Sequence, residues 1–107
     1  MLGKKSTDTK INTLIGAGAE LSGDFTLDGS ARIDGKIGGN VTVTGSLILG
    51  AGSVVTGEVQ AASVLIGGEV TGNITAPEKA ELTASAKVLG DIATKVIVID
   101  EHAIFQG

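Results

Sequence analysis

Asp100-Glu101-His102 is the place where this 107-residue chain gathers side chains able to move a proton or hold a metal. A histidine beside carboxylates is the raw material of acid–base catalysis. Yet a single His with no nucleophilic partner does not build a catalytic triad. The plainer reading is a polar turn between the apolar runs "VIVI" (96–99) and "AIF" (103–105). The other candidates fare no better. "IGAG" (15–18) and "LGAG" (49–52) have the glycines of phosphate-cradling loops, but no helix and no Lys-Ser/Thr pair follows, so they read as turns. "IGGEVTG" lacks the aspartate of a calcium-binding β-roll, and the outward threonines Thr26, Thr42 and Thr75 are interrupted by Gln60 and Ala93. No catalytic, cofactor or metal-ligating residue is assigned.

The elements that would have to position such residues are therefore the more informative subject. The chain is the size of one domain. It has no Trp, Tyr or Cys, only two Phe, and 17 glycines. Val, Ile, Leu and Ala must fill the interior, which suits a narrow core of repeated aliphatic layers. The missing cysteines exclude a disulfide framework and any thiolate zinc site. The net charge of −4 is divided unevenly: residues 1–10 carry +2 and the remainder −6. An acidic body without exposed aromatics argues against nucleic-acid binding. Glycines and charges interrupt every apolar run before the length of a membrane span, and Met1-Leu2-Gly3 leads straight into two lysines rather than an apolar signal core. A cytoplasmic location is expected.

One phrase recurs. "KVLGDI" (87–92) has near-copies in "EVTGNI" (69–74) and "VVTGEV" (54–59). Aligned on its glycine, the chain falls into registers at Leu21-x-Gly23-x-Phe25, Ile37-x-Gly39-x-Val41, Val55-x-Gly57-x-Val59, Val70-x-Gly72-x-Ile74, Val88-x-Gly90-x-Ile92 and Phe105-x-Gly107. A regular period of this length is the signature of a solenoid. Inside each register the apolar residues alternate with period two, as in strands. Further pairs, Ala31/Ile33, Leu47/Leu49, Val64/Ile66, Ala80/Leu82 and Val96/Val98, are expected to point inward between them. The chain is thus expected to be all-β: a single-stranded parallel β-helix of about six turns, spanning residues 11–107 behind a flexible tail at 1–10. Spacings of 15 to 18 residues suit a right-handed helix better than the left-handed hexapeptide type. Stacking puts Leu21, Ile37, Val55, Val70, Val88 and Phe105 in one inward column and Phe25, Val41, Val59, Ile74 and Ile92 in another. Asp24, Asn40, Glu58, Asn73 and Asp91 follow the glycines and face out.

Two features remain, and both concern assembly. Solenoids normally cap their ends with polar elements, because an open end shows strand edges and a cross-section of core. Here "INTLIGAGAEL" (11–21) already reads as the first turn, and the last turn carries Phe105 with no cap after it. End-to-end stacking is expected, through Leu14, Ile15 and Leu21 at one end and Val98, Ile104 and Phe105 at the other. The second feature is the tail, "MLGKKSTDTK". Met1 and Leu2 are placed to enter a membrane interface while Lys4 and Lys5 attract anionic lipid. One such tail binds marginally; many on a polymer bind through avidity.

With the repeat established, the chain resembles the bactofilins, bacterial cytoskeletal proteins. The resemblance rests on "NTLIGAGAELSGDF", "IDGKIGGNVTV", the "EVTGNI" and "KVLGDI" turns, and the closing "VIVIDEHAIFQG", and it covers residues 12–107. It implies a right-handed parallel β-helix that polymerises end to end without nucleotide into non-polar filaments. It also implies a scaffold at the inner face of the membrane, with cell-wall enzymes among its partners and roles in cell shape. The alternative is a hexapeptide-repeat acyltransferase, also a β-solenoid. That reading would need His102 in a cleft between subunits, and the six-residue spacing of Leu21, Leu27 and Ile33 does not continue.

Overall fold

A computed structural model of the chain describes residues 13–107. Each turn of the chain lays down short strands on three faces, and every strand pairs in parallel with its counterpart in each adjacent described turn. The first face stacks β1 (Thr13–Ile15), β4 (Ala31–Ile33), β7 (Ser46–Leu49), β10 (Ser63–Ile66), β13 (Lys79–Leu82) and β16 (Ile97–Ile99). The second stacks β2 (Glu20–Ser22), β5 (Lys36–Gly38), β8 (Val54–Thr56), β11 (Glu69–Thr71), β14 (Lys87–Leu89) and β17 (Ile104–Gln106). The third stacks β3 (Phe25–Leu27), β6 (Val41–Val43), β9 (Val59–Gln60), β12 (Ile74–Ala76) and β15 (Ile92–Thr94). This is the expected β-solenoid of about six turns, with no helix among the described residues. At roughly 4.8 Å per rung the described rod is about 25 Å long.

Both columns read from the sequence are present. Leu21, Ile37, Val55, Val70, Val88 and Phe105 are consecutive register partners, as are Phe25, Val41, Val59, Ile74 and Ile92. The interior is aliphatic and tightly closed: Ile33, Leu47, Val55, Val59, Ile66 and Val70 are inaccessible to solvent. Alanines at 31, 61, 76, 80 and 86 keep the cross-section narrow, so no ring is needed to span it. The two phenylalanines stand only in the first and last turns.

One pair differs from expectation. Ala80 pairs with Ile97 and Leu82 with Ile99, so Ile97/Ile99 continues the inward positions of the first face. Val98 pairs with Glu81 and faces outward; the expected Val96/Val98 pair is displaced by one residue. Four consecutive aliphatic residues carry no alternation, and a slip of one residue exchanges inside for outside.

The recurring glycine is a requirement of close stacking. Gly39, Gly57, Gly72 and Gly90 have φ between +143° and +156°, in a region L side chains rarely enter. A Cβ on any of them would strike the carbonyl oxygen of the glycine one turn below. The polar residue that follows completes the rung. Asn40 and Asn73 accept hydrogen bonds through Oδ1 from the backbone N–H of Glu58 (2.9 Å) and Asp91 (3.1 Å), and Asp24 accepts from Asn40 N–H at 3.1 Å.

Candidate functional site

The solenoid makes its two ends different in kind from its sides. A residue inside the rod is covered by the rungs above and below it, and among the described residues the first and last rungs have one such neighbour each. Among the described residues, the strongly exposed large hydrophobic side chains are Leu14, Leu21, Val96, Ile97, Val98, Ile99, Ile104 and Phe105, all in the first or last turn. Their types are those of the core. Leu82 is 1% exposed and its register partner Ile99 is 44% exposed. The change comes from the missing rung.

The backbone tells the same story. Among the described residues, β16, β15 and β17 each pair with one strand only, as do β1, β2 and β3. Among the described residues, each end therefore presents three strand edges whose N–H and C=O groups have no ladder partner on one side, a template for adding another strand. In the last turn these edges surround Ile97, Ile99 and Phe105, with Ile92 and Ala103 partly buried against the core.

Of the residues expected to form end contacts, Leu14 and Leu21 are exposed in the first turn, and Ile104 and Phe105 in the last. Ile15 is buried in the core cluster, and by register Leu14, Val98 and Ile104 point sideways from the first and last rungs, in line with Arg32, Glu81 and Lys87. Ile97 and Ile99, which the sequence reading missed, occupy the inward positions of that rung. Turn chemistry holds the signal that finds them. Ala86 N–H bonds to Thr83 C=O and Ala103 N–H to Asp100 C=O, and the common offset of 17 residues carries Ala80 onto Ile97. Met1, Leu2, Lys4 and Lys5, the expected membrane contacts, lie outside the described residues.

The Asp100-Glu101-His102 stretch is a turn joining β16 to β17. Asp100 Oδ1 accepts from the backbone N–H of His102 at 2.9 Å and lies 3.1 Å from His102 Nδ1. The backbone hydrogen bond from His102, followed by the bond to its ring, holds the Asp100 carboxyl below its ordinary pKa. Both side chains are open to solvent. Among the described residues no three His, Cys, Asp or Glu side chains converge on a metal-sized space. No helix there is long and apolar enough to cross a membrane.

Comparison with known proteins agrees with this geometry. The family model for bactofilins, described as polymer-forming cytoskeletal, matches residues 13–107. A crystal structure of a bactofilin from Thermus thermophilus, the F105R mutant, matches with a TM-score of 0.78 and 39% sequence identity. The match covers 82% of this chain and 98% of that one. No curated protein matches the chain.

Proposed function

This chain belongs to the bactofilin family, and on that premise we propose that it stacks end to end, without nucleotide, into non-polar filaments serving as a scaffold beneath the cell membrane. The observation that carries this reading is the confinement of strongly exposed core-type side chains to the first and last turns. Joining two last turns covers Ile97, Ile99 and Phe105 and gives each edge strand a partner. Joining two first turns does the same for Leu21, with Ile15 packing beneath it. The gain comes from apolar burial, at about 25 cal/mol per Å², together with ladder hydrogen bonds. No bound group is needed to drive it.

The role is structural, with no chemistry at the turn of His102. Attachment to the inner face of the membrane would come from the leader, Met1 and Leu2 inserting and Lys4 and Lys5 drawn to anionic lipid. A filament fixed there offers repeated sites to proteins that shape the cell wall. The test is negative-stain electron microscopy of the purified chain in plain buffer. Filaments a few nanometres wide support the reading, and a discrete monomer or trimer overturns it.

A further inference from the structure

We propose that the outer side of the first face is a lateral docking surface for a second copy of this chain lying antiparallel to the first. Its central column runs, rung by rung, Leu14, Arg32, Ile48, Leu65, Glu81, Val98. Read backwards, the same column is apolar, acidic, apolar, apolar, basic, apolar. A copy turned about a two-fold axis between the Ile48 and Leu65 rungs therefore sets Leu14 against Val98, Arg32 against Glu81 and Ile48 against Leu65. Each of these contacts occurs twice. That is the self-complementarity an isologous interface requires.

The neighbouring column is small and polar where the copies would come closest. Ser46 and Ser63 share a hydroxyl hydrogen bond of 3.0 Å and border a furrow that Ile48, Leu65, Lys79 and Glu81 also line. The charged groups are available for the contact. Arg32 pairs with Asp34 of its own chain at 3.0 Å and Lys79 with Glu81 at 3.5 Å, and all four side chains remain exposed by 26–49%. Such surface pairs are weak and are extended, rather than broken, by a further partner.

Neither other face passes the same test. The second face carries Glu20, Lys36, Val54, Glu69, Lys87 and Ile104 along one of its two outer columns, so reversal puts Lys36 against Lys87 and Val54 against Glu69. The third offers Thr26, Thr42, Gln60, Thr75 and Ala93, with no large apolar side chain. A parallel copy on the first face, columns aligned, sets Arg32 on Arg32 and Glu81 on Glu81, which repel. The column and its neighbour cover about 25 by 10 Å, well under the ~800 Å² per partner of a standard interface. A lone pair of subunits therefore associates weakly, and arrays of them would hold by avidity.

The inference stands on this face alone and not on end-to-end assembly, and its test separates the two. The chain has no cysteine, so Ile48→Cys supplies a sole thiol beside the two-fold axis, and Thr75→Cys supplies a control on the third face. With a short bis-maleimide, Ile48→Cys is expected to form crosslinked dimer several-fold faster than Thr75→Cys, also in a Phe105→Arg background. Adding Arg32→Glu is expected to abolish the excess, and adding Glu81→Arg as well to restore it. Equal rates at Ile48→Cys and Thr75→Cys overturn the docking surface. Failure of the double reversal to restore the excess overturns the antiparallel pairing. Crosslinking without filaments defeats end-to-end stacking alone, and filaments without crosslinking defeat the lateral surface alone.

Discussion

Val88 and Phe105 are register partners on adjacent rungs of one inward column, yet Val88 is fully buried and Phe105 is 38% exposed. Among the described residues a further rung covers Val88 and none covers Phe105. Phe105 thus holds a core position, and in the proposed joint an arginine there would place a charge between the stacked ends. An uncompensated buried charge costs about 3–5 kcal/mol, enough to remove most assembly at micromolar protein. Phe105→Arg is expected to abolish long filaments while circular dichroism and melting of the rod stay unchanged. Phe105→Leu, still apolar, is expected to retain them.

The same variant reports polarity. In a non-polar filament, joints between last turns and joints between first turns are separate contacts. Phe105→Arg then leaves the first-turn joint intact and yields dimers, which Leu21→Arg in the same chain reduces to monomers. In a head-to-tail filament every joint uses one end of each kind, and Phe105→Arg alone yields monomers. Light scattering after size exclusion distinguishes these outcomes, and a dimer is expected.

Gly72 tests the stacking rule in the middle of the rod. Its φ of +144° and the carbonyl of Gly57 one turn below leave no place for a methyl group. Gly72→Ala is expected to cost at least about 2–3 kcal/mol, the scale of an enforced rare backbone conformation with a clash added. Urea denaturation measures it. A loss under half that would mean that the rung spacing relaxes.

The turn at Asp100 gives a pH dependence of definite sign. Its carboxyl is held below the ordinary value of 3.8, first by the backbone N–H of His102 and then by the ring. The stabilisation it brings is present above that value and is lost as pH falls through the lowered one. His102→Ala removes the ring and leaves the backbone donor. A carbon-detected titration of that variant is expected to show Asp100 still below 3.8, though less so. Filament assembly near neutral pH is expected to be unchanged, in keeping with a structural turn.

Much of this was legible in the sequence because glycine and alternation report geometry directly. The Leu-x-Gly-x-Phe phrase and its copies marked both inward columns, since a polar residue in either would have been buried. The first face was harder at its last rung. Val96, Ile97, Val98 and Ile99 are all apolar, so nothing in their types says which pair faces in, and the answer comes from the turn at Asp100. The lateral pattern was hidden for another reason. Leu14, Arg32, Ile48, Leu65, Glu81 and Val98 are 16 to 18 residues apart, and only the register of the strands makes them one column.

The proposed membrane attachment is expected to depend on assembly more than on the leader's own affinity. Lys4 and Lys5 contribute about 1 kcal/mol each near an anionic surface, too little to hold one subunit with so short an apolar stretch. Filaments of the unaltered chain are expected to sediment with vesicles containing anionic lipid and to release as salt rises through the screening range. Phe105→Arg keeps the leader intact and is expected to stay in the supernatant. Lys4→Glu with Lys5→Glu is expected to form normal filaments that also stay there. Vesicle binding by the Phe105→Arg variant at full strength would show that one leader suffices and that avidity along a polymer is not what anchors it.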